Sequence, residues 1–381
     1  MEYFSNLIFI LSLVSITIYS AFYIISIKGI KNSFANNYKP FNIEYVYLFA
    51  LIAIISVTFN LNQDVYKLYN WFYYEHSNDF WPTDSHFEPI YFVIRRLIPN
   101  SYYLFRLVVW GFGVYLFRKI CIYTNINTLL AVCLFVVFYI HTYAYARASV
   151  GVMTCTFTYI LFLQRKTKSV NFYFLCVMLF VLSALLHKSM LVLISLIIIS
   201  YFVPCNRITV FILILLFYPL TLVLQTSLVQ YIVQSSDFFS ISTRTLDEYL
   251  FQNSIERDEW YVPHIPALII YLYSLIMYFW KGDYSNILIR NSVMASIIIF
   301  YFASLINNSS IGNLQTASIK FYLMTYIFGL VVCTYIIIKY KPKKIWLYGL
   351  FTYTFFGFFY QFLSILKRGG GIYLDILLNQ E

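Results

Sequence analysis

The chain has 381 residues, of which 61% are hydrophobic, 22% aromatic and only 11% charged, with a mean hydropathy of +0.73. Water-soluble domains carry about 25% charged and about 45–50% apolar residues, so a soluble globule and a disordered chain are both excluded. What remains is an all-α polytopic membrane protein, whose formal charge of +10 reports loop sidedness rather than a nucleic-acid partner.

In chain order, the segment 6–27 is long enough to span a bilayer, lacks a basic leader and ends at Lys28 rather than at a small-residue cleavage site. It reads as the first transmembrane helix and not as a signal peptide. Further apolar runs cover 44–59, 102–120, 126–143, 149–163, 171–186, 189–203, 208–230, 265–280, 289–306, 319–338 and 345–366. About twelve transmembrane helices are expected. Several runs fall short of the ~20 residues that a crossing usually takes, which implies tilt or extension by polar ends. The six cysteines (Cys121, Cys133, Cys155, Cys176, Cys205 and Cys333) lie in or beside these runs without C-x-x-C spacing. That is the pattern of small buried side chains, and neither disulfides nor a metal site are expected.

The charges alternate from loop to loop. One set of loops carries 15 basic residues against two acids; the other carries 11 against 14. The positive-inside rule makes the first set cytoplasmic and places both termini outside. Two outer loops are long, 60–101 and 234–264, and hold most of the polar variety. Within the first, His86-Phe87-Glu88-Pro89 opens a short apolar stretch ending in Arg95-Arg96. Proline suits the first turn of a helix, so 86–99 is expected to form a helix at, or dipping into, the outer interface. The second loop, with Arg244, Glu248, Arg257 and Asp258, is a candidate lid or phosphate clamp, or else a solvated charged loop. There is no Walker loop, G-x-G-x-x-G, H-E-x-x-H or nucleophile elbow, which counts against an ATP-driven pump and a membrane metalloprotease.

Two stretches place ionisable groups deep. Residues 126–163 are nearly all apolar apart from the turn ending in Arg147, and only His187 and Lys188 interrupt 171–203. Both turns are expected to be recessed. Arg147 and Lys188 could snorkel to headgroups, but two cationic turns on one face, one beside a histidine, point to a shared polar cavity. Such a cavity would suit a phosphate-bearing ligand, through a planar guanidinium fork and an ammonium point charge. Tyr66, Tyr69, Trp71, Tyr73 and Tyr74 could form a stacking path for sugars, although interfacial aromatics are common in membrane proteins.

Four features in order resemble the EpsG family of membrane polysaccharide polymerases, relatives of the Wzy O-antigen polymerases. They are Asp64 followed by Tyr66, Tyr69 and Tyr73; Glu88-Pro89-Ile90-Tyr91; Arg147 before a small-residue helix start; and Ser183-Ala184-Leu185-Leu186-His187-Lys188-Ser189. The resemblance covers about residues 60–190. The sequence departs from it in carrying Asn60 and Asn62 where an arginine is common before the Asp motif, Ala148 after Arg147, and Lys320 where a late arginine is common.

The resemblance implies a GT-C-like, metal-independent membrane glycosyltransferase with no cofactor. It would join repeat units carried on undecaprenyl diphosphate, using a lipid-linked glycan donor and acceptor in the lipid bilayer. A chain-length regulator and a flippase are the implied protein partners. Arg147 would stabilise the leaving diphosphate, with Lys188 or Lys320 assisting and Arg244 and Arg257 as further contacts. Tyr69 and Tyr91 would touch the glycan. The acceptor hydroxyl needs a base: histidine titrates near neutrality, which suits His187, and Glu88 or Asp64 could serve instead. Rival readings are a lipid-linked oligosaccharide flippase or other transporter, a membrane O-acyltransferase and a non-enzymatic scaffold. No paired halves with broken helices are visible, which counts against the transporter.

Overall fold

The computed structural model describes residues 88–124, 147–165, 169–226, 264–281, 286–307 and 312–340, with isolated positions between 8 and 18, at 52, between 68 and 73, and between 349 and 356. Helix is the only regular structure among them. The helices are α1 (Pro89–Leu97), α2 (Tyr102–Tyr123), α3 (Arg147–Gln164), α4 (Val170–Leu186), α5 (Met190–Phe202), α6 (Arg207–Thr226), α7 (His264–Lys281), α8 (Ile287–Asn307) and α9 (Gly312–Tyr340). Most of the expected runs become helices with ends displaced by a few residues; α9 begins earlier than expected. The runs 6–27, 44–59, 126–143 and 345–366 lie outside the described residues, isolated positions aside.

The chain divides into two compact units, Met1–Met190 with Thr334–Glu381, and Leu191–Cys333. In the first unit α3 packs against both α2 and α4, and α1 lies against α4. Local chemistry sets the ends. Ser101 caps α2 by accepting from the Leu104 N–H at 3.2 Å, and Ser169 caps α4 by accepting from Phe172 at 3.3 Å, each satisfying one amide left free by the first turn. On α2, Tyr102, Phe105, Arg106, Val109, Trp110 and Gly113 are buried, at helical spacing. The central helix α3 is rich in small and hydroxyl residues. Thr154, Thr156 and Thr158 donate to the carbonyls four residues back at 2.7–2.8 Å, which removes the cost of burying bare hydroxyls.

The outward face of α4 is apolar instead of polar. Val170 is 83% exposed and Phe174 65%, and Val177, Val181 and Leu185 continue the same stripe. A stripe of that kind is costly against water and costless against lipid tails, which is why the composition is that of a membrane protein.

In the second unit α8 packs against α6 and α7. Asn286 caps it by accepting from Leu288 and Ile289 at 3.0 and 3.3 Å. Residues Ile287–Ile306 are, among the described residues, the one stretch long and apolar enough to cross a bilayer, with a mean hydropathy of 1.7. Tyr271 stacks on Phe300 at 4.2 Å between ring centroids, and the Tyr301 hydroxyl donates to the Leu213 carbonyl. Five cysteines, Cys121, Cys155, Cys176, Cys205 and Cys333, are free and buried. Burial pushes the thiol of Cys205, in the α5–α6 connection, above its ordinary range, against the pull of the Tyr278 hydroxyl and Arg290.

Candidate active site

The site forms where α4 ends. The Ser183 hydroxyl donates to the Gly151 carbonyl at 2.9 Å. Gly151 stands one turn after the start of α3 and Ser183 one turn before the end of α4. The antiparallel pair therefore brings residues 147 and 187 to the same end, about one 5.4 Å turn beyond that bond. The approach at Gly151 is close: a Cβ there would lie 2.9 Å from Met190 Cγ and 3.3 Å from the Ser183 carbonyl oxygen, so a large side chain would hold the helices apart.

At its end, α4 gives way to extended backbone at His187 (φ −164°, ψ 122°), whose N–H donates to the Ser183 carbonyl at 3.1 Å. His187, Lys188 and Ser189 make the whole connection, and the Met190 N–H donates back to the His187 carbonyl at 2.9 Å as α5 begins. The turn folds the imidazole onto its own backbone. Ser189 donates its N–H to His187 Nδ1 at 3.2 Å, and its hydroxyl lies 2.7 Å from the same nitrogen.

The other partner comes from α1. Glu88 is its N-cap residue, with Pro89 at the first helical position. The carboxylate makes no capping bond to its own helix; its Oε1 stands 3.7 Å from His187 Nε2, with both side chains about nine-tenths buried. That separation is within ion-pair reach and longer than a hydrogen bond; catalytic contacts of this kind often close only when substrate binds. One turn further on, the Tyr91 hydroxyl donates to the Leu186 carbonyl at 3.1 Å, a bond between residues 95 apart in sequence. Two ties thus join the start of α1 to the end of α4.

An aromatic wall backs this end. Tyr91 lies 6.3 Å from Trp110 and from Phe105, and Trp71 meets Phe92 edge-on at 5.0 Å. The Arg95 guanidinium covers the Trp71 ring at 4.8 Å. Arg106 is fully buried: its guanidinium lies 4.3 Å from the Trp110 ring, and Nη1 donates to the Tyr102 hydroxyl at 3.4 Å.

Of the residues expected from sequence, Glu88, Tyr91 and His187 come together. Arg147 is the first residue of α3 and Lys188 lies exposed in the turn, so their backbones share this end. Tyr69 is half-buried, edge-on to Tyr73 at 4.8 Å and to Tyr102 at 5.1 Å. Tyr91 is fully buried, with its hydroxyl committed to a backbone carbonyl. Lys320 is half-buried on α9, in the second unit. Asp64, Arg244 and Arg257 lie outside the described residues. Sequence reasoning missed Ser189 as a partner of the imidazole, and Arg106. The second had a visible signal: it is the one charge between Tyr102 and Phe117, four residues from Tyr102 and from Trp110.

These residues, Glu88 through Ser189, all fall within the span that matches a known family. The family model for EpsG matches residues 44–374, most of the chain. The chain belongs to the EpsG family. Membership carries a membrane setting and polysaccharide biosynthesis of the polymerase type, in general terms. No curated protein and no solved structure matches the chain. In this EpsG-family chain a buried carboxylate and imidazole, groups able to accept or relay a proton, meet at the end of α4 beside the exposed Lys188.

Proposed function

We propose that this EpsG-family protein is a polysaccharide polymerase that joins oligosaccharide repeat units carried on undecaprenyl diphosphate. The observation that carries the reading is the buried contact between Glu88 and His187, in a family of the polymerase type. The reaction takes place on the outer face of the bacterial plasma membrane, in O-antigen, capsule or exopolysaccharide synthesis. A hydroxyl of the incoming lipid-linked unit attacks the anomeric carbon of the growing chain, and undecaprenyl diphosphate leaves. Its proton must pass to a base, and the Glu88–His187 pair supplies one at the right end of the helices. Negative charge grows on the departing diphosphate. Arg147 stands at the first residue of α3, where a guanidinium and the positive end of a helix favour an anion together. Lys188 assists; Lys320, Arg244, Arg257 and Asp64 belong to the same proposal as further contacts, and Tyr69 as a glycan contact. Tyr91 holds the site together instead of touching the sugar.

The frame proposed for this chemistry is a single GT-C-like membrane domain of about twelve helices, with outer loops at 60–101 and 234–264 and both termini outside. Donor and acceptor glycans, a flippase and a chain-length regulator are its partners. In cells lacking the native gene, Arg147→Ala and His187→Ala are each expected to leave glycan one repeat unit long, with membrane levels of the protein unchanged. A normal ladder from both variants would defeat the site assignment. Accumulation of cytoplasm-facing lipid-linked units in the null strain would favour a flippase instead.

A further inference from the structure

We infer that Glu88 is the proton acceptor for the attacking hydroxyl, and that His187 faces it with a protonated Nε2, held in that tautomer by Ser189. The inference rests on the polymerase reading above and decides which member of the pair is the base.

A backbone N–H can only donate. The Ser189 N–H lies 3.2 Å from His187 Nδ1 with donor geometry, so Nδ1 carries a lone pair. The Ser189 hydroxyl lies 2.7 Å from the same atom, and with Nδ1 unprotonated it can only share that one lone pair as a donor. An imidazole that accepts at Nδ1 bears its proton at Nε2. Nε2 is the atom facing Glu88 Oε1 at 3.7 Å. A protonated Nε2 offers a hydrogen and cannot collect one, while Nδ1 is covered from its own turn. A carboxylate, by contrast, is a proton acceptor.

Two further bonds keep the ring where it is. Tyr91 holds the carbonyl of Leu186, the residue before His187, at 3.1 Å, and the His187 N–H is tied to Ser183. The attacking oxygen bonds to the anomeric carbon as the bond from that carbon to the diphosphate oxygen breaks. The electron pair leaves with the diphosphate, and the hydroxyl proton ends on Glu88. His187 keeps its own proton throughout, and Ser189 is a positioning residue.

Glutamine can replace a neutral imidazole in this arrangement, because its amide both accepts and donates; it cannot replace a base. The test is the initial rate of glycosidic bond formation by the purified full-length protein on lipid-diphosphate-linked repeat units, with kcat and KM separated. H187Q is expected to stay within about tenfold of wild type, whereas E88Q falls by about 100-fold or more in kcat. S189A should lower kcat several-fold with KM unchanged, S189T should restore it, and S189A should add nothing to E88Q. Equal losses in H187Q and E88Q, or an active E88Q, would overturn the inference. ¹⁵N-histidine spectra of the wild-type protein, with the His187 signal assigned by its loss in H187Q, give an answer that does not need a folded Glu88 variant. Nδ1 unprotonated and Nε2 protonated is the expected pattern, and the reverse contradicts it. A wild-type protein that forms no glycosidic bond removes the polymerase reading, while the spectra still decide the tautomer.

Discussion

A tyrosine hydroxyl buried in an apolar wall needs an acceptor, and Tyr91 finds one on a different helix, at the Leu186 carbonyl. The net worth of such a bond is about 1 kcal/mol, yet its position gives it a larger effect, because it fixes the backbone next to His187. Tyr91→Phe is expected to lower apparent thermal stability by only a few degrees, and to reduce polymerisation kcat several-fold at unchanged KM. A variant with wild-type kcat would show that the bond does not position the histidine. The sequence made Glu88, Tyr91 and His187 visible because polar groups at the edges of apolar runs are few. It could not show that Glu88 meets His187, since that contact depends on how α1 packs against α4. Nor could it reveal the Ser189–His187 bonds, which follow from the extended backbone at His187. Arg106 was legible as a buried charge, but its stacking on Trp110 was not.

At the scale of elements, helix ends came close to expectation because apolar runs and Ser or Asn caps coincide. The three-residue connection at 187–189 also follows from the run lengths: α4 and α5 have 17 and 13 residues, or roughly 25 and 20 Å of helix, both shorter than a ~30 Å hydrocarbon core. That shortfall is why a recessed turn is expected there. Helix crossings were not legible, and two glycines set them. A Cβ at Gly151 meets the Met190 side chain, a flexible thioether, at 2.9 Å, and one at Gly329 meets the Ile270 Cγ2 branch at 2.8 Å; each has a carbonyl oxygen behind it, at 3.3 and 3.4 Å. Methionine can rotate away and isoleucine is stiff. Gly329→Ala should therefore cost about 1–3 kcal/mol and Gly151→Ala less, read as apparent melting temperatures in detergent. The reverse order would show that the α3–α4 crossing is the more rigid one. Gly151→Leu should also separate Ser183 from the Gly151 carbonyl and abolish polymerisation.

Over the whole molecule, composition and family agree on a membrane protein of polysaccharide biosynthesis. The exposed apolar stripe of α4 and the family match over 44–374 are independent observations. The net charge of +10 is then read as orientation through the positive-inside rule, and the proposed chemistry rests on the few deep polar groups. The most direct measurement is a reaction of the purified protein with synthetic lipid-diphosphate-linked repeat units in the presence of a metal chelator. The account predicts a ladder of two or more joined units, with one lipid diphosphate released for each bond formed. Repeat units recovered unchanged, or a ladder that appears only when divalent metal is restored, would contradict it.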